Sequence, residues 1–191
     1  PWKPGRPLHD PMCGTGTLLV EVAFIAANRA PGLTREFACE AWRWADANAF
    51  ADLRAQAKAA FTPQNIDAIT GADVDPQALE LAKRHIKQAG LSGRILLREE
   101  DVRDYAPAAP GGIILTNPPY GERLSDRKGC ESIARALGRL NRDGGQTVCA
   151  ITAYTGFEKA FGRRADKRRR LYNGRLECEF MTFYGPRRKP E

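Results

Sequence analysis

Apolar residues form two kinds of pattern, which alternate along the 191-residue chain. Short, mostly apolar runs predict buried strands, and stretches with apolar residues three or four positions apart predict helices. Strands that alternate with helices are typical of a parallel sheet with helices on both faces. The predicted fold class is therefore α/β, with a mostly parallel, doubly wound sheet. Strands are predicted at 7–10, 68–73, 94–99, 112–116 and 146–152, and helices at 18–28, 46–61, 77–89 and 131–140.

The pattern changes after Tyr154. Runs with strand character at 168–172 and 175–184 flank the dipeptide Asn173-Gly174. This dipeptide suits a tight hairpin turn because both residues accept positive φ. We therefore expect the domain to end in an antiparallel pair of strands.

The segment 29–65 separates the first helix from the second strand and interrupts the alternation. Its Ala-rich stretch, 46–61, is predicted to be helical, and the segment also contains an aromatic cluster of Phe37, Trp42, Trp44 and Phe50. We expect these side chains to form a packed cover over one edge of the core.

Length and composition fit one folded domain spanning 1–191. Hydrophobic residues make up 42% and charged residues 28%, which excludes a disordered chain and a membrane-embedded one. Because the chain begins at Pro1 and a strand pattern follows almost at once, we expect a fragment of a longer protein. No stretch approaches the roughly 20 apolar residues of a membrane span, and no signal-peptide pattern opens the chain, which predicts a cytoplasmic protein with no membrane partner.

The cysteine and histidine content argues against metal sites and disulfide bonds. Five cysteines without a C-x-x-C pair argue against a disulfide framework or a zinc ribbon, and only two histidines are present. We therefore expect no metal site. Cys149 lies in an apolar run and is predicted to be a core residue.

The formal net charge of +7 is concentrated near the end of the chain. Residues 163–191 hold ten basic and four acidic residues, a net of +6, which leaves only +1 for residues 1–162. Such a local excess favours a polyanion-facing patch on a nearly neutral body. The basic run 163–170 is interpreted either as a phosphate contact or as a solvated helix end before the hairpin.

Ligands of doubly wound sheets bind at the carboxyl ends of the strands, and the first strand end carries a signature there. Asp10 is followed by the turn Gly14-Thr15-Gly16, whose glycines let a ligand approach the backbone. A dinucleotide-binding turn would have a third glycine at position 19, where this chain has Leu19. A carboxylate at the mouth also favours a positively charged ligand. The combination suits S-adenosylmethionine.

Two further strand ends carry carboxylates. Asp73, directly at the end of the second strand, is the better candidate to accept the two hydroxyls of a ribose. Asp75 is interpreted either as a ligand contact or as the cap of the following helix. Asp101, after the third strand, is interpreted either as an acceptor for an adenine amino group or as part of a solvated turn.

The fourth strand end, Asn117-Pro118-Pro119-Tyr120, is the most specific signature. Two prolines fix the backbone so that its carbonyls can point into a site. An exocyclic base amine is a poor nucleophile, and accepting its two hydrogens on the Asn117 oxygen and the Pro118 carbonyl would favour a more tetrahedral nitrogen. Tyr120 can stack on an extruded base. The structural alternative is a Pro-rich loop with a core tyrosine.

These residues resemble a class I S-adenosylmethionine-dependent methyltransferase with the N-P-P-Y motif of amino-methyltransferases. More narrowly, four blocks together are similar to the THUMP-associated 23S ribosomal RNA guanine-N2 methyltransferases of bacteria, which are also described as N6-adenine-specific DNA methylases. The match covers nearly the whole chain. The resemblance implies a Rossmann-like, seven-stranded sheet and an upstream THUMP domain that lies outside this chain. The blocks are 10–21 (DPMCGTGTLLVE), 30–33 (APGL), 117–124 (NPPYGERL) and 171–178 (LYNGRLEC).

The resemblance also implies roles for individual residues. Asn117, Pro118, Pro119 and Tyr120 would hold the target base. Glu122 and Arg123, just past this motif, would order the loop or contact RNA. Cofactor binding would fall to Asp10, Met12, Gly14, Thr15, Gly16, Asp73, Val74, Asp101, Val102 and Asn117.

Three functions follow as hypotheses. The leading one is transfer of a methyl group from S-adenosylmethionine to guanine N2 in large-subunit ribosomal RNA. The second is adenine-N6 methylation of DNA or RNA, because the N-P-P-Y motif does not choose between two exocyclic amines. The third, from another class, is a non-catalytic RNA-binding or assembly module.

Overall fold

The computed structural model describes residues 2–120 and 127–186. Within them, seven strands form one sheet, as the sequence and its resemblance predict. The strands are β1 (Leu8–Asp10), β2 (Ile69–Asp73), β3 (Leu96–Glu99), β4 (Ile113–Thr116), β5 (Thr147–Thr152), β6 (Lys167–Asn173) and β7 (Leu176–Phe183). Their order is β3-β2-β1-β4-β5-β7-β6, parallel except for β7, which is antiparallel to both β5 and β6.

Five α-helices accompany the strands in the described part of the chain: α1 (Thr17–Ala26), α2 (Ala47–Ala59), α3 (Pro76–Gln88), α4 (Arg127–Arg142) and α5 (Phe157–Phe161). Short 3₁₀ turns lie at Ala38–Ala41 and Pro63–Asn65. All four predicted helices are present, although α4 starts earlier than the predicted residue 131. Helix α5 was not predicted, because five residues are too few to show a helical period.

The core lies in two layers, one on each face of the sheet. One layer packs residues of α1 and α3, such as Leu19 and Ile86, against β1 and β2. The other packs α4 and α5, through residues such as Leu137 and Phe161, against β4, β5 and β7. This confirms the doubly wound α/β class. Cys149, which is 3% exposed, is a core residue as predicted.

The C-terminal hairpin is present, but its turn lies one residue later than predicted. Asn173 pairs with Leu176, so the two turn residues are Gly174 and Arg175. Only Gly174 of this pair has a positive φ, 62°. Glycine at the first central position is the requirement of a type II′ turn, whereas the predicted turn needed positive φ at both Asn173 and Gly174.

The expected aromatic cover over the core was wrong. Trp42 and Trp44 are 52% and 77% exposed, and their rings pack on each other at 4.9 Å. Phe37 is 38% exposed and packs under the guanidinium of Arg35. Helix α2 buries none of its residues, because its apolar side chains are mostly alanines and the other helices already cover both faces of the sheet.

Among the described residues, no helix combines the length and the apolar character that crossing a membrane requires.

Candidate functional site

The sequence-predicted site residues meet at one edge of the sheet. Strand β1 pairs with β2 on one side and with β4 on the other, and all three run parallel. Asp10, Asp73 and Asn117 end or directly follow these strands. Neighbouring parallel strands have their carboxyl ends on the same side of the sheet. The three side chains therefore lie together at the carboxyl ends of the central strands.

Asp10 is a buried carboxylate at the centre of this edge. It is 2% exposed, and its Oδ1 accepts a hydrogen bond from the Met12 backbone N–H at 3.2 Å. Its pKa is raised to about 7, chiefly by burial and to a smaller extent by the Asp73 charge, while the hydrogen bond from the Met12 N–H acts in the opposite direction. A cation placed beside Asp10 would favour the ionised form. The site therefore favours a positively charged ligand group.

The glycine turn beside Asp10 leaves room for a ligand. Gly14 has φ 51°, and a β-carbon built there would meet no atom within 4 Å. Gly16 directly precedes α1 and has a left-handed backbone conformation, with φ 81°. Any side chain at 14 would fill space that is open in this structure and would strain the backbone. Thr15 is exposed on this turn.

Asp73 is fixed in place by two backbone donors. Its Oδ2 accepts from the Gly14 N–H at 2.8 Å, and its Oδ1 accepts from the Asp75 N–H at 3.0 Å. Each carboxylate oxygen keeps further acceptor capacity for a ribose hydroxyl. Asp75 accepts from the Gln77 N–H at 2.8 Å and is the N-cap of α3, which was one of its two predicted roles. Val74 is 60% exposed beside them.

Asp101 and Val102 follow β3 at the same edge. The backbone N–H and the guanidinium of Arg103 both bind the Asp101 carboxylate, and the pKa of Asp101 is lowered chiefly by the side-chain hydrogen bond with Arg103. The Val102 side chain is buried in the core layer below, which leaves the backbone as the part that can face a ligand. Asp101 is thus ionised and oriented, with acceptor capacity left for an amino group.

The Asn117–Tyr120 motif follows β4. Pro118 is buried, and the Pro119 carbonyl accepts from the Cys130 thiol at 3.1 Å, which ties the motif to α4. The Tyr120 hydroxyl donates a 2.7 Å hydrogen bond to Oδ1 of Asn117. Glu122 and Arg123 lie outside the described residues.

The C-terminal hairpin also reaches this site, which sequence reasoning missed. A cavity of about 300 Å³ is lined by Asn117 and Tyr120 together with hairpin residues, among them Asn173 and Cys178. Burial raises the pKa of Tyr120, and a side-chain hydrogen bond with Asn173 acts in the opposite direction. A signal was present in the sequence, since 171–178 is one of the blocks that carry the resemblance, but no role was assigned to it.

Another cavity, of about 910 Å³, lies at the opposite end of the parallel strands, near Thr147 at the start of β5. Its arginines are used within the protein. Arg163 pairs with Asp166 at 2.9 Å, and Arg142 donates to the Phe161 carbonyl at 3.2 Å. These contacts hold neighbouring segments of the protein together. None of the predicted site residues lines this cavity. In the described part of the chain, His, Cys, Asp and Glu side chains do not form a group that could hold a metal ion.

A protein-family model matches residues 1–182, and its description is UPF0020: RMKL-like, methyltransferase domain. Two curated relatives match nearly all of the chain. YpsC of Bacillus subtilis (strain 168), provisionally named an RNA methyltransferase, is 33% identical over 98% of this chain and 50% of its own length. Ribosomal RNA large subunit methyltransferase K/L of Allochromatium vinosum is 35% identical over 94% of this chain and 25% of its own length.

A solved structure has the same fold. SMU.472, provisionally described as a methyltransferase and solved in complex with SAH, superposes with a TM-score of 0.92 at 36% identity. The match covers 98% of this chain and 50% of that one. The chain thus spans about half the length of YpsC and of SMU.472.

Proposed function

We propose that this chain, which belongs to the UPF0020 family of RMKL-like methyltransferase domains, transfers a methyl group from S-adenosylmethionine to the N2 amine of a guanine in large-subunit ribosomal RNA. The observation that carries the proposal is the arrangement at one sheet edge. A buried carboxylate, Asp10, ends β1 beside an open glycine turn, and an amine-accepting motif follows the adjacent strand β4.

The residues at this edge fit the cofactor. Asp10 would bind the ammonium of the methionine end, since a nearby cation would stabilise its buried negative charge. The Gly14–Gly16 turn, with Met12 and Thr15, would pass close to the same end. Asp73, already oriented by two backbone donors, would accept the ribose hydroxyls.

The adenine end would lie over the ends of β2 and β3. Val74 offers an exposed apolar side chain for the ring, while Asp101 and the Val102 backbone would bind its edge. When bound, the cofactor supplies an electrophilic methyl group on a sulfonium.

The Asn117–Tyr120 motif would prepare the target amine. Asn117 Oδ1 and the Pro118 carbonyl would accept its two hydrogens and direct the nitrogen lone pair at the methyl carbon. In the transfer that these residues would support, the new N–C bond would replace the methyl–sulfur bond, whose electron pair would remain on sulfur. Methylation makes the nitrogen acidic, so its extra proton passes to water without a strong general base. Tyr120 would stack on the extruded base.

Ribosomal RNA as the substrate is supported by two further observations. The curated relative with 35% identity is named for the large ribosomal subunit. In addition, β6 carries Lys167, Arg168, Arg169 and Arg170 as four consecutive exposed cations on the outer edge of the sheet. Such a row suits contact with phosphates. The run was interpreted either as a phosphate contact or as a helix end, and its residues 167–170 lie in a strand.

The test is incubation of the purified chain with radiolabelled S-adenosylmethionine and either unmodified large-subunit ribosomal RNA or plasmid DNA, followed by nucleoside analysis. We expect label in N2-methylguanosine from the RNA. Label in N6-methyladenine would support the adenine alternative instead. RNA binding without SAH binding in calorimetry would favour a non-catalytic module.

Two variants separate the roles of the site. Asn117→Ala should abolish transfer while retaining SAH binding within a few fold, because the amine acceptor is lost and the carboxylates remain. Asn48→Ala, which removes an exposed amide at the start of α2, is the matched control and should behave as the unaltered chain.

A further inference from the structure

The tip of the C-terminal hairpin extends beyond the body of the sheet. Strand β7 pairs with β5 from Glu179 to Phe183, whereas Leu176–Cys178 pair only with β6. Three residue pairs therefore overhang the carboxyl end of β5, a distance of about 10 Å at about 3.3 Å per residue. Because β5 lies next to β4, this overhang lies beside the Asn117–Tyr120 motif.

The overhang forms one wall of the cavity that contains the motif. The lining residues from the hairpin are Leu171, Tyr172, Asn173 and Cys178, and Ile151 of β5 closes the cavity below them. Its volume of about 300 Å³ is at the lower end for small-ligand sites. The proposed function places the target base here but gives the hairpin side of the cavity no role.

Tyr120 connects the two walls. Its hydroxyl donates to Asn117 Oδ1 at 2.7 Å, and its side chain lines the same cavity as Asn173. Asn117 Oδ1 has two lone pairs and could accept from Tyr120 and from the target amine together. The proposed stacking of Tyr120 on the base, however, would draw its hydroxyl away from Asn117 Oδ1 when a base enters. Asn173, which lines the same cavity, would then be available to the incoming base.

We propose that Asn173 reads the Watson–Crick edge of the target base and selects guanine. This inference rests on the proposed function, because it assumes that the target amine binds at Asn117 and Pro118. With guanine N2 there, the next atoms along the edge are the N1–H donor and the O6 acceptor. The Asn173 amide offers one acceptor and two donors, and it pairs with both atoms at once.

Adenine does not offer the same pair of contacts. With adenine N6 held at Asn117, the neighbouring ring atoms are N1 on one side and N7 on the other, each followed by a C–H group. The Asn173 amide can then make a single hydrogen bond. Selection of guanine thus arises from the hairpin, whereas the Asn117–Tyr120 motif accepts either amine.

The test compares three variants on unmodified large-subunit ribosomal RNA, with kcat, KM and the ratio of N2-methylguanosine to N6-methyladenosine as readouts. Loss of a bidentate base contact should lower kcat/KM of Asn173→Ala about ten- to hundredfold and lower that ratio. Asn173→Asp keeps the size and the acceptor but lacks the donor, and it should lose about tenfold. Asn48→Ala is the control and should change neither quantity.

SAH affinity and the melting temperature should be the same in all three variants, since Asn173 lies outside the cofactor-binding residues. Should Asn173→Ala and Asn173→Asp both retain kcat/KM and the product ratio within twofold, the inference is overturned while the proposed function stands. If the unaltered chain makes no N2-methylguanosine, the proposed function itself fails.

Discussion

Leu19 of α1 packs directly onto Gly71 of β2. A β-carbon at position 71 would lie 2.4 Å from Leu19 Cδ1, and Leu19 is fully buried, so its side chain has no free space to move into. In a dinucleotide-binding turn, the glycine that permits close helix–strand packing is on the helix. Here the strand supplies that glycine and the helix supplies the leucine.

Gly71→Ala should therefore destabilise the protein. Overpacking a filled core typically costs about 1–3 kcal/mol, and the added methyl would also meet Leu97 and Cys13. Because α1 carries the glycine turn at its start, we also expect weaker SAH binding. Chemical denaturation and calorimetry measure the two effects; unchanged values would contradict the packing argument.

Replacement by alanine should change the unfolding free energy in opposite directions at two glycines of α4. A β-carbon at Gly138 would lie 2.1 Å from the Phe161 carbonyl oxygen, and backbone at that position cannot yield without separating α4 from α5. At Gly129 it would meet no atom within 4 Å. We expect Gly138→Ala to lose about 2 kcal/mol of unfolding free energy, and Gly129→Ala to gain up to about 1 kcal/mol. Thermal melts of the pair, run together, test this sign change.

Asp10 should make cofactor binding depend on pH. Its pKa of about 7 means that the ionised carboxylate, which a cationic ligand prefers, forms only as the pH rises through neutrality. SAH affinity should increase from pH 6 to pH 8 in the unaltered chain. Asp10→Asn should bind weakly with no such increase. A parallel rise in this variant would assign the titration to another group.

Asp10 and its neighbour His9 should have opposite effects on stability. The folded pKa of Asp10 is raised from 3.8, so its contribution is present below about pH 4 and is lost as the pH rises towards 7. Burial, with the Arg98 charge, lowers the pKa of His9 from 6.5 to about 4, so its contribution is present above 6.5 and is lost as the pH falls towards 4. In Asp10→Asn only the His9 effect remains. The unfolding free energy of this variant should decline more steeply from pH 6.5 to pH 4 than that of the unaltered chain, as urea titrations would measure.

Asp73, which ends β2, and Asp75, which follows it, should differ in function. Asp73→Asn weakens the acceptor for ribose and its hold on the Gly14 N–H, and we expect SAH affinity to fall about tenfold or more, as loss of charge-assisted hydrogen bonds implies. Asp75→Asn keeps a good N-cap for α3 and should leave the affinity unchanged. Equal losses in the two variants would argue against a specific ribose contact.

The basic strand β6 should contribute unequally to RNA affinity. Arg168 is engaged by Glu158 and Glu179, and Arg170 by Glu177, whereas Arg169 projects from the opposite face and pairs in register with Phe180. Arg169→Ala should reduce the slope of log affinity against log salt by about 1, and Arg168→Ala should reduce it less. Filter binding over a range of salt concentrations provides the measurement. A larger effect of Arg168 would reverse the assignment.

The strands and the carboxylates could be predicted because their signals are local. Each of Asp10, Asp73 and Asn117 directly ends or follows an apolar run, and parallel strands bring such positions together whatever their order. Local signals could not predict that Asn173 lies near Tyr120. It depends on β7 lying antiparallel beside β5, a pairing between distant parts of the chain that no periodicity reveals.

The wrong predictions have physical reasons of the same type. The turn at Gly174 is one residue later than predicted because the register with β7 determines it, not the local preference of Asn173. Trp44 is aromatic and yet 77% exposed, because the faces of the sheet were already filled by other helices. Burial is decided by what else competes for a surface, which a single segment does not show.

The position of β6 at the end of the sheet has one further consequence. Its outer side presents backbone groups without a strand partner in the described structure, and such an edge can template aggregation between copies. Four consecutive cations, Lys167 to Arg170, lie on this edge. A second copy pairing there would bring like charges to within about 5 Å of each other. The same residues that suit a phosphate backbone therefore disfavour edge-to-edge pairing between two copies of the sheet.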